Sequence, residues 1–143
     1  MQPGLKWFRY WLSLGLIILS VVLVACFVPP EPHEPVQTYN DKVWHALSYA
    51  LLMCWFGQLL IGRWHFGLLI ALTLMGIGVE NLQPLTGRSY EVADMLANFS
   101  GAFLVWVMLR FTPFTRLFFY LERIYSSASP VPGLASSPKR RSP

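Results

Sequence analysis

Four long apolar runs, at 11–28, 43–61, 66–82 and 92–111, dominate this chain, with only short polar breaks between the last three. Each is near the roughly 20 residues that an α-helix needs to cross the hydrocarbon core of a bilayer. The runs are continuous and do not alternate, so they suit helices and not the strands of a barrel. Composition points the same way. Of 143 residues, 55% are hydrophobic and only 13% are charged, whereas soluble domains carry about 25% charge. Too few charges remain to cover a water-facing surface. A soluble enzyme, a disordered chain and a disulfide scaffold are all disfavoured. The expectation is an all-α integral membrane protein with four transmembrane helices.

The basic residues orient these helices. Lys6, Arg9, Arg63, Arg110, Arg116, Arg123, Lys139, Arg140 and Arg141 fall on one side, and only Lys42 and Arg88 on the other. The positive-inside rule puts both termini in the cytoplasm. The net charge of +4 therefore reads as a membrane signature, and no nucleic-acid partner is expected. Trp7, Trp11, Trp44 and Trp64 stand at span ends as interfacial anchors.

Four further segments complete the plan. The Pro-rich linker at 29–40 is expected to be extended and extracytoplasmic. Thr112-Pro113 suits a helix restart. The stretch at 112–125 reads as a short interfacial amphipathic helix, or as an extension of the fourth span. The Ser/Pro-rich basic tail at 126–143 is expected to be disordered. At the other end, Leu23-Val24-Ala25-Cys26 has the form of a bacterial lipoprotein cleavage site, with Cys26 as the lipidated residue. The alternative is an ordinary first membrane helix in which Cys26 is a small hydrophobe.

Carboxylates are expensive inside a bilayer, so Glu80 and Asp94 mark a functional site. Asp41, His45 and Tyr49 repeat at i, i+4, i+8 and share one helix face, and Glu80 with Gln83 and Asp94 with Asn98 form similar pairs. Gly101 continues the second of these stripes and allows close helix contact. The topology brings all three stripes to the same extracytoplasmic depth, with Arg88 and Ser89 above them. The expected object is a polar pocket. Glu80, Asp94 and His45 are its candidate acid–base residues. Asp41, Lys42, Tyr49, Gln83, Arg88, Ser89 and Asn98 are its candidate substrate-binding residues, with Lys42 and Arg88 suited to a phosphate. Asp41 and Ser89 could instead cap helices, and Arg88 could pair with Glu80 or Asp94. The whole set would then be a latch between helices. No cofactor is expected. His45, Glu80 and Asp94 could in principle bind a divalent ion, but no His/Cys spacing supports one, and no metal is expected.

These residues also resemble a family. Asp41-Lys42-x-x-His45-x-x-x-Tyr49, Glu80-x-x-Gln83, Gly87-Arg88-Ser89 and Asp94-x-x-x-Asn98-x-x-Gly101 are similar in order and spacing to the VanZ-like family, over about Asn40 to Leu109. The resemblance implies a small multi-helix protein of the bacterial cytoplasmic membrane and a role in the cell envelope. One member of the family is associated with resistance to the glycopeptide teicoplanin. It implies no particular reaction. On this reading the partner is an envelope lipid or lipid-linked intermediate. On the alternative, the chain is a non-enzymatic scaffold with a membrane-protein partner or a second copy of itself.

Overall fold

The computed structural model describes residues 5–28, 38–112 and 117–128, and among these it holds helices and turns but no strand. Helix α1 spans Phe8–Phe27, α2 Thr38–Leu59, α3 His65–Leu82, α4 Val92–Phe111 and α5 Leu117–Ala128, with 3₁₀ turns at Gly62–Trp64 and Gln83–Thr86. Three segments are long and apolar enough to cross a membrane: Phe8–Phe27, Gly62–Thr86 and Val92–Phe111. At 20 residues, α1 and α4 are about 30 Å long.

The second helix departs from the expected 43–61. It starts at Thr38 and ends at Leu59, so the last residues assigned to the linker are helical. Asp41 thus lies inside the first turn instead of capping it. Its negative charge there complements the helix dipole. Residues 29–37 and 113–116, and with them the polyproline path and the Pro113 restart, lie outside the described residues, as does the tail beyond 128. The segment 126–128 belongs to α5. Helix α4 does not run on into α5, because Thr112 turns the chain into extended backbone.

The bundle is polar within and apolar without at one end. α1 exposes Leu14, Ile17, Val21 and Val24, α3 exposes Phe66, Ile70 and Leu74, and α4 exposes Leu96 and Leu104. Such apolar outer surfaces fit helices that are long and apolar enough to cross a membrane. α2 is the central helix. It packs most extensively against α4, and its Tyr49, Leu52 and Met53 are buried. The α2–α4 approach depends on Gly101, where an added Cβ would overlap the Ala46 backbone carbonyl. That small-residue contact is a common device of membrane helix pairs.

At the far end, α5 is docked on the bundle. Trp11 stacks on Phe118 with ring centroids 4.3 Å apart, and Trp55 meets the same ring edge-on. Glu122 accepts the backbone N–H groups of Lys6 and Trp7, both at 2.9 Å, and the Trp11 indole N–H at 3.1 Å. It thereby satisfies donors at the start of α1 that have no partner within that helix. Gln58 does the same for α5, accepting the Leu117 N–H at 3.1 Å. Trp11 is therefore a packing residue and not a free interfacial anchor.

Candidate functional site

The chain reversal between α3 and α4 builds the site. Pro84 stands in the 3₁₀ turn Gln83–Thr86, and Gly87 closes it with φ of 83°. That left-handed conformation is open to glycine and strained for other residues. The reversal directs Arg88 across the ends of α1 and α2. Its Nη2 donates to Asp41 Oδ2 at 2.7 Å and its Nη1 to the Val28 carbonyl oxygen at 3.2 Å. The sequence left Glu80 or Asp94 as its partner; Asp41 takes that place, because it projects from the first turn of α2 towards the loop. Beside it, Gln83 Nε2 donates to the Cys26 carbonyl oxygen at 2.9 Å. Two carbonyls at the end of α1, both lacking partners within the helix, are thus taken by the α3–α4 turn. Cys26 itself is buried inside α1.

A second ion-paired group lies across the rim. Lys42 Nζ is 2.8 Å from Glu91 Oε2 and 3.4 Å from Asp94 Oδ1. The Lys42 ammonium holds the Glu91 carboxyl below the usual carboxylate range. Ser89 does not cap α4; the residue before that helix is Glu91, and Ser89 Oγ donates to Glu91 Oε1 at 3.3 Å. Glu91 also donates its backbone N–H to Glu80 Oε1, at 2.6 Å. It is the member of the site that the sequence did not reveal. It sits just outside an apolar run, where a charge costs nothing. The one available signal was Lys42, a basic residue with no acidic partner at helical spacing further along its run.

The inner shell is buried. Glu80 and Gln83 are 0% exposed, and Asn98, Asp94 and His45 are buried with them. His45 Nδ1 lies 3.2 Å from Asn98 Oδ1, and its Nε2 lies 3.6 Å from Asp94 Oδ2 and 3.8 Å from Asp41 Oδ2. The nearest ligand-type atoms of Asp41, His45 and Asp94 all fall within 4.8 Å of one another. Tyr49 and Asn98 both approach α3 at Gly76, where an added Cβ would stand 3.3 Å from Tyr49 Oη and from Asn98 Nδ2. Five buried atoms here have no hydrogen-bond partner: Tyr49 Oη, Glu80 Oε2, Gln83 Oε1, Asn98 Nδ2 and Asp94 Oδ1, the last with Lys42 Nζ 3.4 Å away.

All ten residues singled out from the sequence thus lie at one end of the bundle, in a compact cluster. Asp41, Lys42, Arg88 and Glu91 form its accessible rim. A separate apolar groove of about 300 Å³ lies between α3 and α4, lined by Phe66, Leu69, Ile70, Thr73, Leu74, Phe99, Phe103 and Trp106. No protein-family profile, curated protein or solved structure matches the chain.

Proposed function

We propose that this chain is a four-span protein of the bacterial cytoplasmic membrane, VanZ-like in its motifs, which binds or modifies an envelope lipid or lipid-linked intermediate. The polar end faces the extracytoplasmic side and both termini face the cytoplasm. Supporting that orientation, Lys42 and Arg88 at the polar end are both ion-paired, while Arg63 and Arg110 stand at the opposite end. The fourth span is α2, less apolar than the other three because its first turns carry the site.

One observation carries the reading. Tyr49 Oη, Glu80 Oε2, Gln83 Oε1, Asp94 Oδ1 and Asn98 Nδ2 are buried without hydrogen-bond partners, beneath a rim of ion-paired side chains. A purely structural polar network is favourable only when every member is satisfied. Buried groups of this kind take their partners from ordered water, an ion or a ligand group. Lys42 and Arg88 suit a phosphate, and the groove along α3 and α4 suits a hydrocarbon chain. Within the site, Glu80 or Asp94 acts as general base and His45 as general acid or base. A link to glycopeptide resistance rests on the family resemblance alone.

The test is native mass spectrometry of the protein in native-lipid particles, for wild type, Glu80→Gln and Asp94→Asn. Retention of a lipid-linked intermediate by wild type, lost in either folded variant, is the expected result. Bulk phospholipid in all three, with lower stability in the variants, would refute it. That outcome favours the second reading, a latch between helices in a scaffold protein, for which the Arg88–Asp41 and Lys42–Glu91 pairs speak.

A further inference from the structure

His45 and Asp41 stand one turn apart on α2, and Asp94 lies in the first turn of α4. The close α2–α4 approach at Gly101 brings them together. The Asn98 amide engages His45 Nδ1, with Oδ1 3.2 Å away; where that oxygen accepts from Nδ1–H of the neutral ring, Nε2 keeps the lone pair that a metal ion needs. The lone pair of Nε2 then points at Asp94 Oδ2 and Asp41 Oδ2, 3.6 and 3.8 Å away. Both lie beyond hydrogen-bond reach. Three ligand-type atoms therefore converge, two of them carboxylate oxygens that repel each other, with Arg88 2.7 Å from Asp41 Oδ2 and Lys42 3.4 Å from Asp94 Oδ1 on the outer side.

The charge balance agrees. Arg88 and Lys42 offset two of the four carboxylates at this end, Asp41, Glu80, Glu91 and Asp94. Two negative charges remain when the carboxylates are ionised. The burial is independent of the clustering: Asp94 and His45 are 3% and 5% exposed, and Asp94 Oδ1 is buried without a hydrogen-bond partner, with Lys42 Nζ 3.4 Å away. Ligands about 2.0–2.2 Å from a tetrahedral ion stand roughly 3.3 Å apart; the two imidazole–carboxylate spacings, 3.6 and 3.8 Å, are a few tenths of an ångström longer, and the three atoms, all within 4.8 Å of one another, would draw together by up to about 1.5 Å around an ion. Asn98 on the far ring nitrogen matches the outer partner that orients metal-binding histidines.

We infer that Asp41, His45 and Asp94 bind a divalent first-row transition-metal ion through one imidazole nitrogen and two carboxylate oxygens. The imidazole favours zinc or manganese over calcium and magnesium. Three protein ligands leave a coordination position open, on the side of the Asp41 rim. The absence of His/Cys spacing in the sequence does not count against the site, because its ligands come from two helices and meet only in the folded bundle.

The test uses the full chain in phosphatidylcholine nanodiscs, stripped with chelator and titrated with Mn²⁺ by electron paramagnetic resonance and with Zn²⁺ by competition. One ion per chain is expected, with Zn²⁺ displacing Mn²⁺. Asn98→Ala should weaken binding about 10–100-fold, and His45→Gln and Asp94→Asn should weaken it further. Cys26→Ala, Cys54→Ala and Glu122→Gln should leave it unchanged. Because buried variants can misfold, Asp41→Asn on the rim is the second probe, and the unfolding midpoint of each variant reports its fold. Failure of wild type to take up either ion at millimolar concentration would overturn the site. So would binding that survives both Asp41→Asn and Asp94→Asn in folded protein. Uptake is read without any lipid intermediate, so this result and the lipid result stand or fall separately.

Discussion

Arg88 ties Asp41 to the end of α1: one amino group is 2.7 Å from Asp41 Oδ2 and the other donates to the Val28 carbonyl at 3.2 Å. One side chain from the α3–α4 turn thus joins the ends of two other helices. Arg88→Gln should destabilise the protein by about 1.5–3 kcal/mol, the range for hydrogen bonds to charged groups. Arg88→Lys should recover only part of this, since an ammonium lacks the planar fork that spans two acceptors. A double-mutant cycle with Asp41→Asn, read from unfolding midpoints, should show strong non-additivity. Additive effects would mean that the pair is not coupled.

The α2–α4 seam makes a sharper claim. Any Cβ at Gly101 meets the Ala46 backbone, which has no flexible end to yield. Gly101→Ala should cost at least about 1–3 kcal/mol, as overpacking does. Gly78, in the apolar helix α3, has nothing within 4 Å of an added Cβ. Gly78→Ala should be neutral, or stabilising by up to about 1 kcal/mol through helix propensity. Thermal unfolding of the two variants side by side decides this.

The rim pair sets a pH dependence. The Glu91 carboxyl is held below its usual range by Lys42, so the folded state binds its proton less readily than the unfolded chain. The contribution of the pair is complete above the ordinary glutamate value, about 4.3, and is lost as pH falls through the lower folded value. The pair is partly exposed, which keeps its worth below about 1 kcal/mol. The difference in unfolding midpoint between wild type and Glu91→Gln should be constant from neutral pH to about 5 and shrink in stronger acid. A difference that grows in acid would contradict the ion pair.

At the far end, Glu122 holds the start of α1 from α5. Glu122→Ala should loosen α5 and expose the Trp11–Phe118 stack, shifting tryptophan emission to the red. Its stability cost should be about 1 kcal/mol, that of a lost helix cap. Glu122→Gln keeps an acceptor and should fall between. Neither should alter ion or lipid binding at the polar end, which lies a helix length away.

Glu80, Asp94 and His45 were legible because each is a costly group inside or beside an apolar run, and their neighbours followed from helical spacing. Partner choice was not legible. Arg88 could reach several carboxylates from its loop, and its selection of Asp41 depends on the sharp reversal at Gly87. Glu91 escaped notice because it works through its backbone N–H to Glu80 and its side chain to Lys42, 49 residues away. The docking of α5 was hidden for a similar reason: Glu122 looks like an ordinary charge on an amphipathic helix until it is found 2.9 Å from the Trp7 N–H.

Sequence alone determined that this protein is helical, that it carries segments long and apolar enough to cross a membrane, and which polar side chains share a helix face. Those properties follow from local periodicity and from the cost of burying charge, both written along one dimension. Only the tertiary structure decided that the polar residues close into a largely buried cluster, that α1 is gripped by its last carbonyls, and that Asp41, His45 and Asp94 converge. Such relations depend on the distance between helices, and that distance is set by side-chain volume at contacts such as Gly101 against Ala46.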